Sequence, residues 1–186
     1  MKKITLVIFL TVALSSSLFA SFTKRGFHFL LDVAPKFNYI EMQEKNEADG
    51  GSEKLKFAQF QIDVDLTGNY MFNEWAGINV RLSAGFDVIT SSYLYYEFID
   101  RYSLYTKIGP RFYLADFVYF DADFVIGRTA YYSTGAYYMS LGADASFGFE
   151  LVQMPFFTLA LRPVFSYRRG SYSNEFQGGL YISLSI

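Results

Sequence analysis

The chain has 186 residues, which suits one domain, and it contains no cysteine, so disulfides and thiolate chemistry are excluded. Aromatic residues make up 20% of the chain and charged residues only 18%, which is typical of large apolar surfaces or of belts at a membrane interface. The formal net charge of −2 does not favour a nucleic-acid partner.

The N-terminal segment has the composition of a secretory signal peptide. A basic start, Lys2-Lys3, precedes an apolar run that ends at Leu14, and Ala20 offers a cleavage site. We therefore predict a signal peptide over residues 1–20 and a mature domain over 21–186. An uncleaved N-terminal anchor is the alternative. Beyond Ala20 no apolar run approaches the roughly 18 residues that indicate a transmembrane helix.

The mature domain alternates between apolar and polar side chains, with the two-residue period of a β-strand whose two faces differ. Phe60 and Ile62, for example, share one face, while Gln61 and Asp63 share the other. We therefore predict strands in all the segments that follow this pattern. They lie over residues 25–40, 57–70, 76–88, 98–113, 117–128, 137–150, 156–168 and 175–186.

The connections between these segments alternate between short and long. Such an alternation is typical of outer-membrane barrels, which have short periplasmic turns and longer outer loops. The fold predicted is all-β: a closed, eight-stranded, antiparallel, up-and-down transmembrane β-barrel. The short turns lie near 71–75, 114–116 and 151–155, and the loops near 41–56, 89–97, 129–136 and 169–174.

The alternation alone does not tell which face of the barrel is outside, since a soluble barrel of the lipocalin kind alternates equally well. Three features favour a membrane barrel. The apolar face carries more bulky side chains than the interior of eight strands accepts. The polar face is rich in glycine and serine, which leave room in a narrow lumen. Each segment is also longer than the ~9–11 residues that cross a bilayer.

Five residues do not fit the alternating pattern. Pro35, Pro110 and Pro163 fall inside predicted strands and remove ladder donors, so we expect bulges there or positions near the interfaces. Asp100 and Arg128 fall on the apolar face of the fourth and fifth strands. Because charge on that face is tolerated near an interface, we expect both at the outer rim, within reach of each other.

The C-terminal residues form a recognisable ending of a polar residue, a glycine and alternating apolar positions. The residues concerned are Gln177, Gly179, Ile182, Leu184 and Ile186. This ending resembles the signal that the barrel-assembly machinery reads, although many such proteins end in Phe rather than in Ile. The whole mature domain resembles the small bacterial outer-membrane barrels of the OmpA-transmembrane-domain, OmpX and OmpW type. The resemblance implies location in the cell outer membrane, contact with its lipid, and the assembly machinery as a partner.

The polar face carries charges that have to neutralise one another inside a narrow barrel. Because the turn of a hairpin fixes which residues face each other, the short turns predict specific ion pairs. With His28, Tyr119 and Tyr181 as filler, these pairs are expected to plug the lumen, and Arg101 and Arg168 are further candidate cations. The predicted pairs are Arg81 with Asp65 or Asp63, Lys107 with Asp123 or Arg111 with Asp121, Arg162 with Asp144, and Lys36 with Glu175.

No group in the sequence points clearly to catalysis. His28 is the single histidine and falls at the periplasmic end, so it indicates a lumen residue rather than a catalytic or metal-binding one. Two acidic pairs, Asp63/Asp65 and Asp121/Asp123, have the spacing of an acid–base pair, but structural ion pairing is favoured. The Tyr-rich stretches 93–96 and 131–138 indicate an interfacial girdle rather than a binding surface. We predict no enzyme, no cofactor and no metal.

The sequence therefore favours a non-enzymatic barrel with a structural or surface-binding, adhesin-like role. An extracellular partner would bind through the loops 41–56 and 129–136. Two alternatives remain open. One is a narrow channel for small or hydrophobic molecules, and the other is an enzyme that modifies lipid A.

Overall fold

The computed structural model describes residues 25–45, 52–91, 101–131, 137–154, 157–171 and 173–185. Its strands form one closed antiparallel barrel, in which each strand pairs with its neighbours in the chain and the last pairs with the first. The prediction of eight strands in this arrangement is confirmed. The strands are β1 (Gly26–Lys45), β2 (Ser52–Met71), β3 (Ala76–Ser91), β4 (Arg101–Ala115), β5 (Val118–Tyr131), β6 (Tyr137–Met154), β7 (Phe157–Gly170) and β8 (Ser173–Ser185).

The connection between β2 and β3 is a tight turn, as the sequence predicts. The side-chain oxygen of Asn73 accepts hydrogen bonds from the backbone N–H groups of Trp75 and Ala76, at 3.0 and 2.8 Å. An asparagine that bonds its own backbone in this way favours a turn over continued pairing. We call this end of the barrel the short-turn end and the opposite one the outer end.

The loop predicted over residues 41–56 is wrong at both of its boundaries. β1 continues to Lys45 and β2 begins at Ser52, and the two strands stay paired up to these residues. The pattern changes parity in this region: Leu55 and Phe57 fall at odd positions, which are polar farther along β2, and Lys54 and Lys56 at even ones. The alternation of the barrel therefore stops here, although the backbone ladder continues. Residues 46–51 and 132–136, which belong to the two predicted binding loops, lie outside the described residues.

The strand registers fix a strong stagger around the barrel. Leu30 of β1 faces a residue of β2, which faces a residue of β3, and so on around the barrel. This row of facing residues returns to β1 at Ile40, which lies ten residues nearer the outer end than Leu30. Such a stagger tilts the strands against the barrel axis, and eight strands enclose an interior just wide enough for side chains. Consequently, residues that face each other in the ladder do not lie at the same height in the barrel.

Apolar side chains cover the outside of the barrel and polar ones fill the inside. Phe29 and Phe165 are 64% and 69% exposed, whereas Lys36 is completely buried. A soluble barrel would show the reverse, so the structure supports the membrane barrel over the lipocalin-like alternative. Among the described residues, the structure contains no helix that is both long and apolar enough to span a membrane.

Three prolines lie within strands without any bulge. β4 pairs with β5 at Ile108 and again at Arg111, and the register is the same at both residues. Only Gly109 and Pro110, which lie between them, are not paired with β5. Pairing with the other neighbour, β3, continues through Pro110. The expectation of bulges is wrong, because a short gap on one side accommodates the missing donor. The same one-sided gap occurs at Pro35 and Pro163.

Candidate functional site in the lumen

The interior of the barrel is lined with charged side chains of both signs. All of them follow the inward-facing parity of their strands, and their side chains are buried. The near balance between the signs lowers the cost of removing so many charges from water. The cationic residues are Lys36, Arg81, Arg101, Lys107, Arg111, Arg162 and Arg168, and the acidic ones are Asp32, Asp63, Asp65, Asp87, Asp121, Asp123, Asp144 and Glu175.

Asp121 of β5 is the centre of the cluster nearest the short-turn end. Arg111 donates to both of its carboxylate oxygens, at 2.8 and 2.9 Å, in the two-pronged geometry that favours arginine. Arg162 donates to it at 3.3 Å and Arg81 contacts it as well. Because Arg162 also donates to Asp32 at 2.6 Å, this cluster joins strands on several sides of the lumen.

Tyr181 of β8 lies at the middle of the lumen and connects a second cluster. The Lys107 ammonium donates to the Tyr181 hydroxyl at 2.9 Å and to Asp65 at 2.8 Å. Lys36 forms an ion pair with Asp63 at 2.6 Å and lies 5.0 Å from the centre of the Tyr181 ring. The ring therefore receives cations on its face while its hydroxyl is bound, which suits a tyrosine without contact to water.

The third cluster lies toward the outer end and spans the lumen from wall to wall. Arg101 of β4 donates to Asp87 of β3 and to Glu175 of β8, at 2.9 Å each. In a closed barrel of eight strands, β4 and β8 are on opposite sides. The contact between Lys107 and Tyr181 links the same two strands, so the lumen is bridged at two heights.

The structure brings the predicted lumen residues together, but mostly with other partners than the hairpin turns predict. The β2–β3 register places Arg81 opposite Thr67 instead of Asp63 or Asp65. The turn near 114–116 predicts Arg111 opposite Asp121, and these two do face each other. The remaining predicted partners are wrong: Lys107 faces Val125, Asp144 faces Ser166, and Lys36 faces Gly179.

The reason for these differences is the length of the side chains. Facing residues on adjacent strands have Cβ atoms only ~5 Å apart. Lysine and arginine that point into a narrow barrel extend well beyond that distance, so their charged groups reach strands farther away. Arg81 of β3, for example, contacts Asp121 and Asp123 of β5, and Lys107 of β4 contacts Asp65 of β2 and Asp144 of β6.

Glycine opposite an inward-facing tyrosine makes room for the ring. Tyr119 faces Gly148, and a Cβ atom added to Gly148 would lie 1.9 Å from that ring. Gly178, which follows the outward-facing parity, has nothing within 4 Å of such a Cβ atom. The small residues of the polar face therefore serve packing in the lumen, as the sequence indicates.

The other predicted residues occupy simple positions. His28 faces Asn69 near the short-turn end. Gln177 is buried in the lumen, whereas Ile182 and Leu184 lie on the exterior. Asp100, Tyr93–Tyr96 and Ile186 lie outside the described residues, so the expected contact of Asp100 with Arg128 stays a prediction.

Two acidic residues of the network, Asp32 and Asp87, are absent from the predicted pairs. Both lie on the polar parity of their strands, β1 and β3, so the sequence indicates that they point into the lumen. The hairpin registers predicted from the short turns give them no partner of opposite charge. Within the described ranges, no three histidine, aspartate or glutamate side chains are placed to hold a metal ion. The arrangement is chemically suited to the mutual neutralisation of the buried charges.

Solved structures of similar shape exist for several bacterial surface proteins. Neisserial surface protein A is similar with a TM-score of 0.59 and 12% identity, over 87% of this chain and 96% of that one. Ail, the attachment invasion locus protein of Yersinia pestis, was solved with the heparin analogue sucrose octasulfate. It is similar with a TM-score of 0.50 and 15% identity, over 87% and 99% of the two chains.

The outer membrane protein OprG of Pseudomonas aeruginosa has a TM-score of 0.50 and 11% identity, over 87% of this chain and 95% of its own. The fold is that of the small outer-membrane β-barrels. The sequence matches no protein-family model and no curated protein. With an apolar exterior and a polar interior, the barrel has the side-chain distribution that a bilayer requires.

Proposed function

We propose that the protein is an integral outer-membrane barrel that acts at its outer surface, with a structural or adhesin-like role, and that it neither conducts solutes nor catalyses a reaction. The observation that carries this proposal is the bridging of the lumen. The contacts of Arg101 with Glu175 and of Lys107 with Tyr181 join opposite walls at two heights. A solute would have to break these buried contacts in order to pass, and breaking a buried ion pair is costly.

The hairpin of β1 and β2 offers a surface for such a role. Among the described residues, the pairing of β1 with β8 extends to Met42, and that of β2 with β3 extends to Ala58. Beyond these points β1 and β2 still pair with each other, up to Lys45 and Ser52. This two-stranded extension, residues 43–45 and 52–57, is suited to contact a partner outside the membrane.

An attachment assay tests the surface role. A variant in which Asn-Gly joins Met42 directly to Leu55, which face each other, removes the outer part of the extension and keeps every described pair of β1 with β8. Laboratory bacteria without other adhesins would display either protein at equal amounts. We expect several-fold more attachment to cultured cells with the full chain than with the variant. Equal attachment of bacteria with and without the full chain would contradict the proposal.

We also propose the route by which the barrel reaches its membrane. The segment 1–20 would direct export and be removed, leaving the mature domain 21–186. The ending from Gln177 to Ile186 would then engage the barrel-assembly machinery. The alternating apolar positions of this ending, such as Ile182, lie on the exterior of β8, where contact with lipid is expected after assembly.

A further inference from the structure

Two arginines lie on the lipid-facing side of the barrel near its outer end. Arg128 of β5 and Arg169 of β7 follow the outward parity of their strands and are exposed. The other outward positions of these strands are apolar or aromatic, and charge on this face is tolerated only near an interface. In the described part of the chain, neither arginine takes part in an ion pair.

The two arginines flank the same strand at nearly the same height. Arg128 faces Met139 and Arg169 faces Leu141, so they lie on either side of β6 and two residues apart along it. Leu141 lies nearer the short-turn end of β6 than Met139 does. However, the stagger of the barrel shifts each row of facing residues toward the outer end on going from β5 to β7. The two shifts cancel, so Arg128 and Arg169 lie at nearly the same height, and both guanidinium groups can approach one ligand between them.

An apolar groove lies below them, toward the middle of the membrane. Its lining begins at Tyr167, the next outward residue below Arg169, and at Phe124, two outward positions below Arg128. It has a volume of about 620 Å³, within the range of sites that bind small molecules. Ala122, Ala143 and Ala145 form its floor, because small side chains on β5 and β6 leave a depression. The side chains of Asp123 and Asp144, which also border the groove, point into the lumen. Its walls are aromatic: Phe124, Phe165, Tyr167 and Phe176.

We propose that this groove binds one diacyl lipid whose headgroup is an exposed phosphate. An acyl chain would lie over the alanines, and the phosphate would lie between Arg128 and Arg169. We infer a lipid because the apolar groove lies toward the middle of the membrane and the two arginines lie nearer the outer end. A lipid carries its acyl chains and its phosphate in the same order. Guanidinium groups match the oxygen atoms of a phosphate by paired hydrogen bonds. This lipid site is separate from the proposed surface role and does not depend on it.

Native mass spectrometry of the purified full chain in detergent tests the proposal. Dimyristoyl phosphatidic acid is the probe, and dimyristoylglycerol, which has the same chains without phosphate, is its comparison. We expect one phosphatidic acid per barrel, bound roughly tenfold or more tightly than dimyristoylglycerol. The double variant Arg128→Gln with Arg169→Gln should lose that preference. Arg25→Gln, which removes an exposed charge at the short-turn end, should keep it.

A groove variant separates the contribution of the chains from that of the phosphate. Ala143→Phe fills the floor and should weaken both lipids, while the mobility of unboiled protein on a gel verifies that the barrel is folded. Equal binding of the two lipids to the unaltered protein would overturn the proposal. Retention of the phosphate preference by the double arginine variant would do so as well. A protein dimer that the same variant abolishes would assign the patch to a second copy instead.

Discussion

Three arginines from three different strands contact the carboxylate of Asp121, so the charge of this one residue holds several side chains in place. A buried ion pair adds little net stability compared with apolar packing, but removal of one partner leaves the other charge buried and uncompensated. At the scale of the residue, the lumen is therefore most sensitive where a single carboxylate serves more than one cation.

The substitution Asp121→Asn tests this sensitivity. We expect the free energy of unfolding to fall by about 3–5 kcal/mol, because the arginines lose their shared counter-charge in a buried position. Urea titration of the protein in lipid vesicles measures it. Glu41→Gln is the matched control. Glu41 is partly exposed and pairs at 3.3 Å with the exposed Lys56, so the change should cost about 1 kcal/mol or less. Similar losses in both variants would contradict this account of the lumen.

At the scale of the strand, the sequence alternation predicts which side chains face lipid and which face the lumen. Leu82 and Arg81 are adjacent in β3, and the structure leaves the first 60% exposed and buries the second. This parity could be read from the sequence because it depends only on the two-residue period. The outer ends of β1 and β2 could not be predicted in this way. In β2 the apolar residues Leu55 and Phe57 lie on the parity that is polar in the barrel, so the alternation loses its phase while the backbone pairing continues.

The depth of each strand in the bilayer can be tested with a charge on its outer face. Leu82→Arg places a guanidinium group six residues from the short-turn end of β3, near the middle of the membrane. We expect a loss of about 2–4 kcal/mol in the free energy of unfolding there. Met139→Arg, at the outer end of β6 beside Arg128, should cost only about 0–1 kcal/mol. Urea titration in vesicles compares the two, and a larger loss at Met139 would invalidate the assigned depth.

At the scale of the whole molecule, the lumen could be predicted as a set of inward charges but not as a set of pairs. Lys107 shows why. Its parity follows from the sequence, yet its partners lie on β2, β6 and β8, which no count of turn residues relates to β4. Those partners result from the stagger of the closed barrel and from the reach of a long side chain across a narrow interior.

The central claim is that these contacts close the barrel to solutes, and recording of single-channel current across a planar bilayer tests it most directly. The full chain should insert without giving steps of steady current. A variant with Arg101→Ala and Tyr181→Ala, which removes both wall-to-wall contacts, should give such steps. A steady current of uniform size from the unaltered protein would contradict the claim, because solvated ions would then be passing where the structure places Arg101 against Glu175 and Lys107 against Tyr181.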